Sequence, residues 1–395
     1  LRHQGKKIKV KFIDFLFSYL YISNMKVGIV STYLPQRCGI ATYTDYLVRA
    51  MLKNPDISVK IIAEDLAESK REENLEVIPA WNRNEDYPEK ILPLTEDIDV
   101  LHIQHEYSIY SFDERLPSLL ERVKKKKVIT IHCIRPAQFC ERYDVDEKYA
   151  GRIASLADRV IVHLETQRAI LERLGIPLEK IHVIPHGTRI THEDPVESRK
   201  KFGLPEKGKI MLIFGFIKPH KCIHIAMDAL KILLPKVDAY LFIGGWIAPS
   251  AKPEHKEYVE FLLDKMKKDN LEERVIFYKG FIPEEDVTYA FGACDVVLFP
   301  YYEEDRSASG SFHLAIGAGK PVVASRIPKF EELKNISDEL LVLPYNAEGL
   351  AGVLLRLFTD RDFERYVKER VEDYKEKTSW ETTAKRHLEV YNEGV

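Results

Sequence analysis

Cysteine is sparse in these 395 residues: Cys38, Cys133, Cys140, Cys222 and Cys294 make five, an odd number, scattered and never spaced as CxxC. This excludes a disulfide framework and a cysteine-held zinc site, and it fits reduced thiols in a cytoplasmic protein. Glutamine is as rare, at five, while Lys and Glu carry most of the charge, a balance associated with thermostable proteins. An excess of one sign is missing too. Lys and Arg number 59 against 62 Asp and Glu, and a net charge of −3 argues against a surface that wraps nucleic acid. No apolar run approaches the roughly 20 residues that cross a bilayer. The dinucleotide signature GxGxxG is absent, as is the phosphate loop GxxxxGK[ST], because Gly319-Lys320 runs into Pro321 and lacks the leading Gly.

What is present is a soluble globular composition, 45% hydrophobic and 31% charged, on a chain longer than one core comfortably supports. Two domains of comparable size are therefore expected. Residues 1–24 stand apart: Leu1 to Phe12 is basic, Ile13 to Ile22 is mostly apolar but carries Asp14, and a strong strand begins at Met25. They read as an upstream or disordered extension, with a weak interfacial anchor as the alternative. From Met25, β-rich runs (Lys26 to Ser31, Val59 to Ala63, Leu75 to Pro79, Val100 to Gln104, Val128 to Ile131, Val160 to Leu164, His182 to Pro185) mostly alternate with helical stretches. That pattern predicts a doubly wound, mostly parallel α/β sheet over 25–187, with its ligand crevice outside the carboxyl ends of the strands. Residues 188–208 read as a polar linker. The pattern restarts at Ile210 to Phe216 and continues through Ala239 to Ile243, Val275 to Tyr278, Val296 to Phe299, Pro321 to Ala324 and Leu340 to Leu343, giving a second Rossmann-like domain over 209–378.

Within that second half, Phe299 to Ser325 carries the sharpest signal. A strand stops at Pro300, an acidic loop follows, and Ser309-Gly310-Ser311 opens a short helix of small residues that Gly319 stops. Ser309, Gly310, Ser311 and Phe312 would leave amide groups facing outward, where the helix dipole favours an anion such as a phosphate. Lys218-Pro219-His220-Lys221 lies at another strand-to-helix mouth, and Lys221 there suits a phosphate as a point charge. An ordinary capped crossover and a solvated lysine are the plain alternatives.

In the first half, Gly39 at a helix mouth gives a ligand room to approach backbone, and strand ends carry Gln104-His105-Glu106-Tyr107 and His132-Cys133; His186 closes the last strand. Three strand-end histidines in one sheet are more than a structural strand asks for. A metal set is the weaker reading, since no two are spaced i, i+4 on a helix. The tripeptide Asp144-Val145-Asp146 matches DxD but lies in a charged helical region and is discounted. Lys124 to Lys127 reads as a solvated helix end, with contact to an anionic membrane as the lesser alternative.

Arg37-Cys38-Gly39-Ile40-Ala41-Thr42, His105-Glu106, Thr130-Ile131-His132, Lys180 to Gly187, Lys218 to Lys221 and Gly319 to Ala324 together resemble the family-four retaining glycosyltransferases of the GT-B fold, over nearly all of the chain from Met25. The resemblance implies two Rossmann-like domains facing a cleft, with the last helix, within 379–395, returning to the first domain. It implies a hexosyltransferase using a UDP- or GDP-linked nucleotide sugar and a carbohydrate or lipid-linked acceptor, without metal or other cofactor, in the cytoplasm or at the inner membrane surface as a peripheral protein. By position His132 would lie beside the transferred sugar, Lys221 would hold the donor diphosphate with the amides of Ser309 to Phe312, and Gly39, His105, Glu106 and His186 would line the cleft or acceptor side. The sequence departs from the family at the Arg before the phosphate-loop Lys, whose place is Phe216, leaving Lys218 or Arg306 as second cation. It departs also at the Glu-x7-Glu pair, replaced near Arg306 and Leu314 by a Ser/Gly-rich pattern. A sugar-nucleotide epimerase and a non-catalytic nucleotide-sugar sensor are the alternatives on the same fold.

Overall fold

The computed structural model describes residues 24–134, 147–247, 251–303 and 306–394. Most of the N-terminal extension and Asp144-Val145-Asp146 lie outside the described residues. Two compact units divide the chain, one ending at Ile184 and resuming at Thr383, the other spanning Pro185–Thr382.

The first unit is built on β1 (Met25–Ser31), β2 (Ile57–Glu64), β3 (Lys70–Glu72), β4 (Leu75–Trp81), β5 (Val100–His105), β6 (Lys126–Ile131), β8 (Arg159–Val162) and β9 (Ile181–Val183); β7 (Cys133–Ile134) lies outside this sheet. Their order is β3-β4-β2-β1-β5-β6-β8-β9, and every pairing is parallel except β3 on β4. The central strands are apolar runs because helices cover both faces of a parallel sheet. Leu101, Ile103, Ile129 and Val160 sit in one core cluster. The antiparallel edge β3, Lys70-Arg71-Glu72, is exposed and charged throughout, so it carries no hydrophobic pattern to read.

The second unit repeats the plan with β10 (Lys209–Phe214), β11 (Ala239–Gly244), β12 (Val275–Phe277), β13 (Val296–Phe299), β15 (Val322–Ser325) and β16 (Leu341–Val342), in the all-parallel order β12-β11-β10-β13-β15-β16; β14 (Arg306–Ser307) is separate. Leu212, Ile243, Val297 and Val323 anchor its core. Two expected boundaries move. The stretch 188–208 is part of this unit and folds into a helix, Pro195–Lys201, because Asp194 accepts from the amides of Val196 and Glu197 and Pro195 suits the first helical position. His186, expected with the first half, belongs here as well.

The last helix, Trp380–Asn392, contributes its residues from Thr383 to the first unit. There the Tyr391 hydroxyl meets His102 Nδ1 at 2.6 Å and the Tyr43 hydroxyl lies 3.5 Å from His387 Nε2. Lys126 Nζ donates to the carbonyls of Val390 and Tyr391 at 2.9 and 2.8 Å, capping the carboxyl end of that helix where a cation is favoured. The expected solvated helix end at Lys124 to Lys127 is therefore corrected. The preceding helix ends at Arg122, Lys126 and Lys127 begin β6, and one of these lysines is committed to a cap. No helix among the described residues is long and apolar enough to cross a membrane.

Candidate active site

In the second unit, β10 ends at Phe214 and the chain turns through Gly215 into the one-turn segment Pro219–Lys221, then through Cys222 into the helix Ile223–Leu233. This turn folds Lys221 back under the strand end, so that Nζ donates to the Phe214 carbonyl at 2.7 Å and the side chain is 8% exposed. Gly215 makes the fold-back possible. Its φ is +94°, and a Cβ there would stand 2.9 Å from the ammonium. Burial, reinforced by Lys218, lowers the Lys221 pKa to about 7, with Glu303 pulling the other way and Lys329 adding to the lowering. A buried, half-charged lysine is poised to gain a counter-charge.

The same turn forms one wall of a cavity of about 350 Å³, which Lys218, Lys221, Gly245, Trp246, Phe281 and Ser311 help to line. Ser311 reaches it from the helix Gly310–Gly317. That helix is short and closes at Gly319, whose amide donates to the Ile316 carbonyl while Lys320 N–H donates to Ala315, as a left-handed stop requires. Ser309 is its N-cap, and Ser309 Oγ accepts from the Phe312 amide at 3.2 Å. The expectation for Phe312 is thus corrected: its N–H is spent on the cap and its ring is buried. Gly310 and Ser311 keep first-turn amides with no acceptor inside the helix. The His186 ring stands at this mouth, with Nε2 3.8 Å from where a Cβ of Gly310 would be, stacked on His313 and edge-on to Trp380. Phe216, at the place where the family would carry an Arg, is a partly exposed aromatic wall beside Phe281. The side chain of Arg306 lies outside the described residues.

In the first unit, the carboxyl ends of three neighbouring strands, β5, β6 and β8, carry a row of buried polar side chains that ends on a backbone carbonyl just past β9. His132 Nε2 donates to Gln104 Oε1 at 2.8 Å, and His132 Nδ1 lies 3.0 Å from His163 Nε2; His163 Nδ1 donates to the Ile184 carbonyl at 2.9 Å. His105 is corrected from a cleft residue to a core one. It is fully buried, stacked on Tyr110 and edge-on to Tyr107, and burial lowers its pKa to about 3. Glu106 folds onto its own loop, accepting from the Ser108 amide at 2.7 Å. Gly39 opens the exposed mouth of the helix Gly39–Met51, with nothing within 4 Å of where its Cβ would be. Among the described residues no cluster of three or more His, Cys, Asp or Glu side chains is placed to hold a metal.

The family model described as Glycosyltransferase Family 4 matches residues 38–192, and that described as Glycosyl transferases group 1 matches residues 195–374. The chain belongs to the group 1 glycosyltransferases. It is 25% identical over 242 residues to an uncharacterized glycosyltransferase of Methanocaldococcus jannaschii, covering 59% of each chain. It is 28% identical over 270 residues to a D-inositol 3-phosphate glycosyltransferase of Corynebacterium urealyticum, covering 64% of this chain. The chain spans 59% of the length of both relatives. Among solved structures, HepE of Anabaena in complex with UDP matches with a TM-score of 0.70 at 17% identity, over 92% of this chain and 98% of that one. At that identity the likeness is one of fold, two Rossmann-like units with parallel sheets.

Residues of this group 1 chain that sequence reasoning passed over are those whose partners are remote. Glu303 pairs with Lys329 at 3.0 Å and lies 3.9 Å from His220, while Lys329 Nζ donates to Ser307 Oγ at 2.9 Å. Buried His313 sits between Thr188 Oγ1 at 2.8 Å and Glu332 Oε2 at 3.3 Å, and the Tyr374 hydroxyl donates to the other Glu332 oxygen at 2.7 Å. This network fixes the base of the Gly310–Gly317 helix. Nothing in the local spacing of these residues announces it.

Proposed function

We propose that this chain transfers a hexosyl group, with retention of configuration, from a nucleotide-diphosphate sugar to a carbohydrate or lipid-linked acceptor. The observation that carries the reading is that Lys221 and Ser311, from two separate strand-to-helix mouths of one sheet, line the same cavity. A diphosphate there meets the Lys221 ammonium and the amides of Gly310 and Ser311, with Lys218 near the rim. The aromatic walls Trp246, Phe216 and Phe281 suit the flat apolar faces of a nucleobase. HepE, of like fold, is crystallised with UDP, which supports a uridine donor as the first to try.

Departure of the diphosphate loads negative charge onto the leaving group as the sugar becomes oxocarbenium-like. Donors already aimed at that charge lower the barrier without reorganising. The acceptor hydroxyl attacks the same face of the sugar, so no protein nucleophile is needed and the leaving phosphate oxygen takes the acceptor's proton. Because a lysine and helix amides meet the charge, transfer is expected to persist in the presence of a chelator. Calorimetric titration with UDP and GDP, followed by transfer assays over a panel of nucleotide sugars and acceptors, tests the proposal. Tight UDP or GDP binding with turnover that needs an acceptor supports it. Donor conversion without any acceptor, or failure to bind either nucleotide, overturns it.

A further inference from the structure

The segment that leads from β13 to the Gly310–Gly317 helix touches both of the mouths assigned to the diphosphate. Near its start the Tyr302 amide donates to the His220 carbonyl at 2.8 Å, which ties it to the turn carrying Lys221. At its end Ser309 caps the helix whose first amides meet the cavity. Between these points one side chain grips it twice. Lys329 Nζ lies 3.0 Å from Glu303 Oε1 and donates to Ser307 Oγ at 2.9 Å, so a single ammonium joins two residues on either side of the bend. Both charged side chains are mostly buried, Lys329 at 14% and Glu303 at 17% exposure, where salt screens a pair much less than it does at the surface.

Lys329 is fixed from below. The next residue, Phe330, is fully buried, and its ring centroid lies 5.0 Å from that of Phe299, 5.5 Å from Tyr301 and 6.4 Å from Phe312. Those three rings belong to the end of β13, to the segment after it and to the helix itself. The backbone that bears the ammonium and the backbone that bears the helix amides therefore share one rigid support. The second Glu303 oxygen stands 3.9 Å from His220 Nε2, on the turn that carries Lys221. Neither Glu303 nor Lys329 lines the cavity.

We propose that Lys329 is a positioning residue for the donor diphosphate: by bridging Glu303 and Ser307 it sets the Gly310 and Ser311 amides against the Lys221 turn, without touching the nucleotide. The inference rests on the reading of those two mouths as the diphosphate site, and it adds residues that act only through them. Donors held in place before the ligand arrives bind it without the cost of ordering a loop. The role also fixes the sign of one substitution. If charge alone mattered, removing the Glu303 carboxylate would favour an incoming anion and release the Lys329 ammonium to meet it, whereas loss of a bridge weakens binding.

The test compares UDP and uridine binding to the full chain at about pH 6, below the point at which Lys221 gives up its proton. Lys329→Met and Glu303→Gln should each weaken UDP about tenfold, and the double variant no more than about twofold beyond either, because the two residues form one bridge. Uridine, which has no phosphate to meet the helix amides, should bind each variant as it binds the wild type. Amide exchange of the nucleotide-free chain should rise at 307–311 in Lys329→Met. Tighter UDP binding in Glu303→Gln overturns the proposal, as do an equal loss of uridine and UDP affinity and an unchanged exchange pattern at 307–311. If the wild type binds neither UDP nor GDP, the donor site fails instead, and exchange in the free chain still decides whether Lys329 holds the helix mouth.

Discussion

At Lys221 burial and charge oppose each other, which makes pH the sharpest probe of the donor site. Its proton leaves at about 7 in the folded chain because burial disfavours the ammonium and Lys218 repels it, whereas the unfolded chain holds the proton to about 10.4. Between those values the unfolded state binds more protons. This group therefore makes stability rise with pH across that window, and below it the destabilisation is complete. Donor binding should run the opposite way, since a diphosphate needs the charged form. UDP affinity is expected to be flat below about pH 7 and to fall by up to about tenfold per unit above it, with proton uptake visible as a buffer-dependent binding enthalpy; affinity constant from about pH 6 to 9 would count against Lys221 as the diphosphate ligand. Lys221→Ala should lower transfer by about 10²–10³ while the far-ultraviolet circular dichroism stays unchanged. Gly215→Ala should cost about 1–2 kcal/mol of stability through its positive φ, and should weaken UDP binding because the new methyl displaces the ammonium. Lys221 is legible in the sequence because Gly215 to Lys221 joins a strand to a helix within a few residues. Glu303, Lys329 and His163 are not, since their partners are brought close only by the order of strands in the sheet.

Parallel strands buried on both faces read as apolar runs, and the runs around β1, β2, β5, β10, β13 and β15 are plain in the sequence for that reason. What the pattern misses is structure built from charge. The exposed edge β3 has no apolar face, the helix Pro195–Lys201 is short and polar enough to pass for a linker, and Lys126 looks like one more member of a basic run. The lysine is the most consequential of these, because it closes the carboxyl end of the last helix with bonds to Val390 and Tyr391. Lys126→Met keeps the stem and removes the donor. It is expected to cost about 1–2 kcal/mol in urea denaturation, and to raise amide exchange at the end of the Trp380–Asn392 helix while leaving UDP affinity unchanged. An unaltered exchange pattern there would mean that solvent satisfies those carbonyls as well as the lysine does.

Each unit has its own sheet and its own hydrophobic core, and the residues proposed to hold the donor nucleotide all belong to the second. That division is physical and can be read out in the intact chain. A ligand stabilises the conformation it binds by RT ln(1 + [L]/Kd), about 2.7 kcal/mol at a hundredfold excess over Kd, and protection concentrates where amides are shielded or loops are ordered. Hydrogen exchange with saturating UDP should therefore slow at 215–221, 244–246, 280–282 and 309–311. At the strand ends of the first unit, around Gln104, His132 and His163, the nucleotide alone should have a smaller effect. Protection by UDP spread evenly over both units, with no maximum at Lys221 or Gly310, would contradict a donor site formed by those two helix mouths.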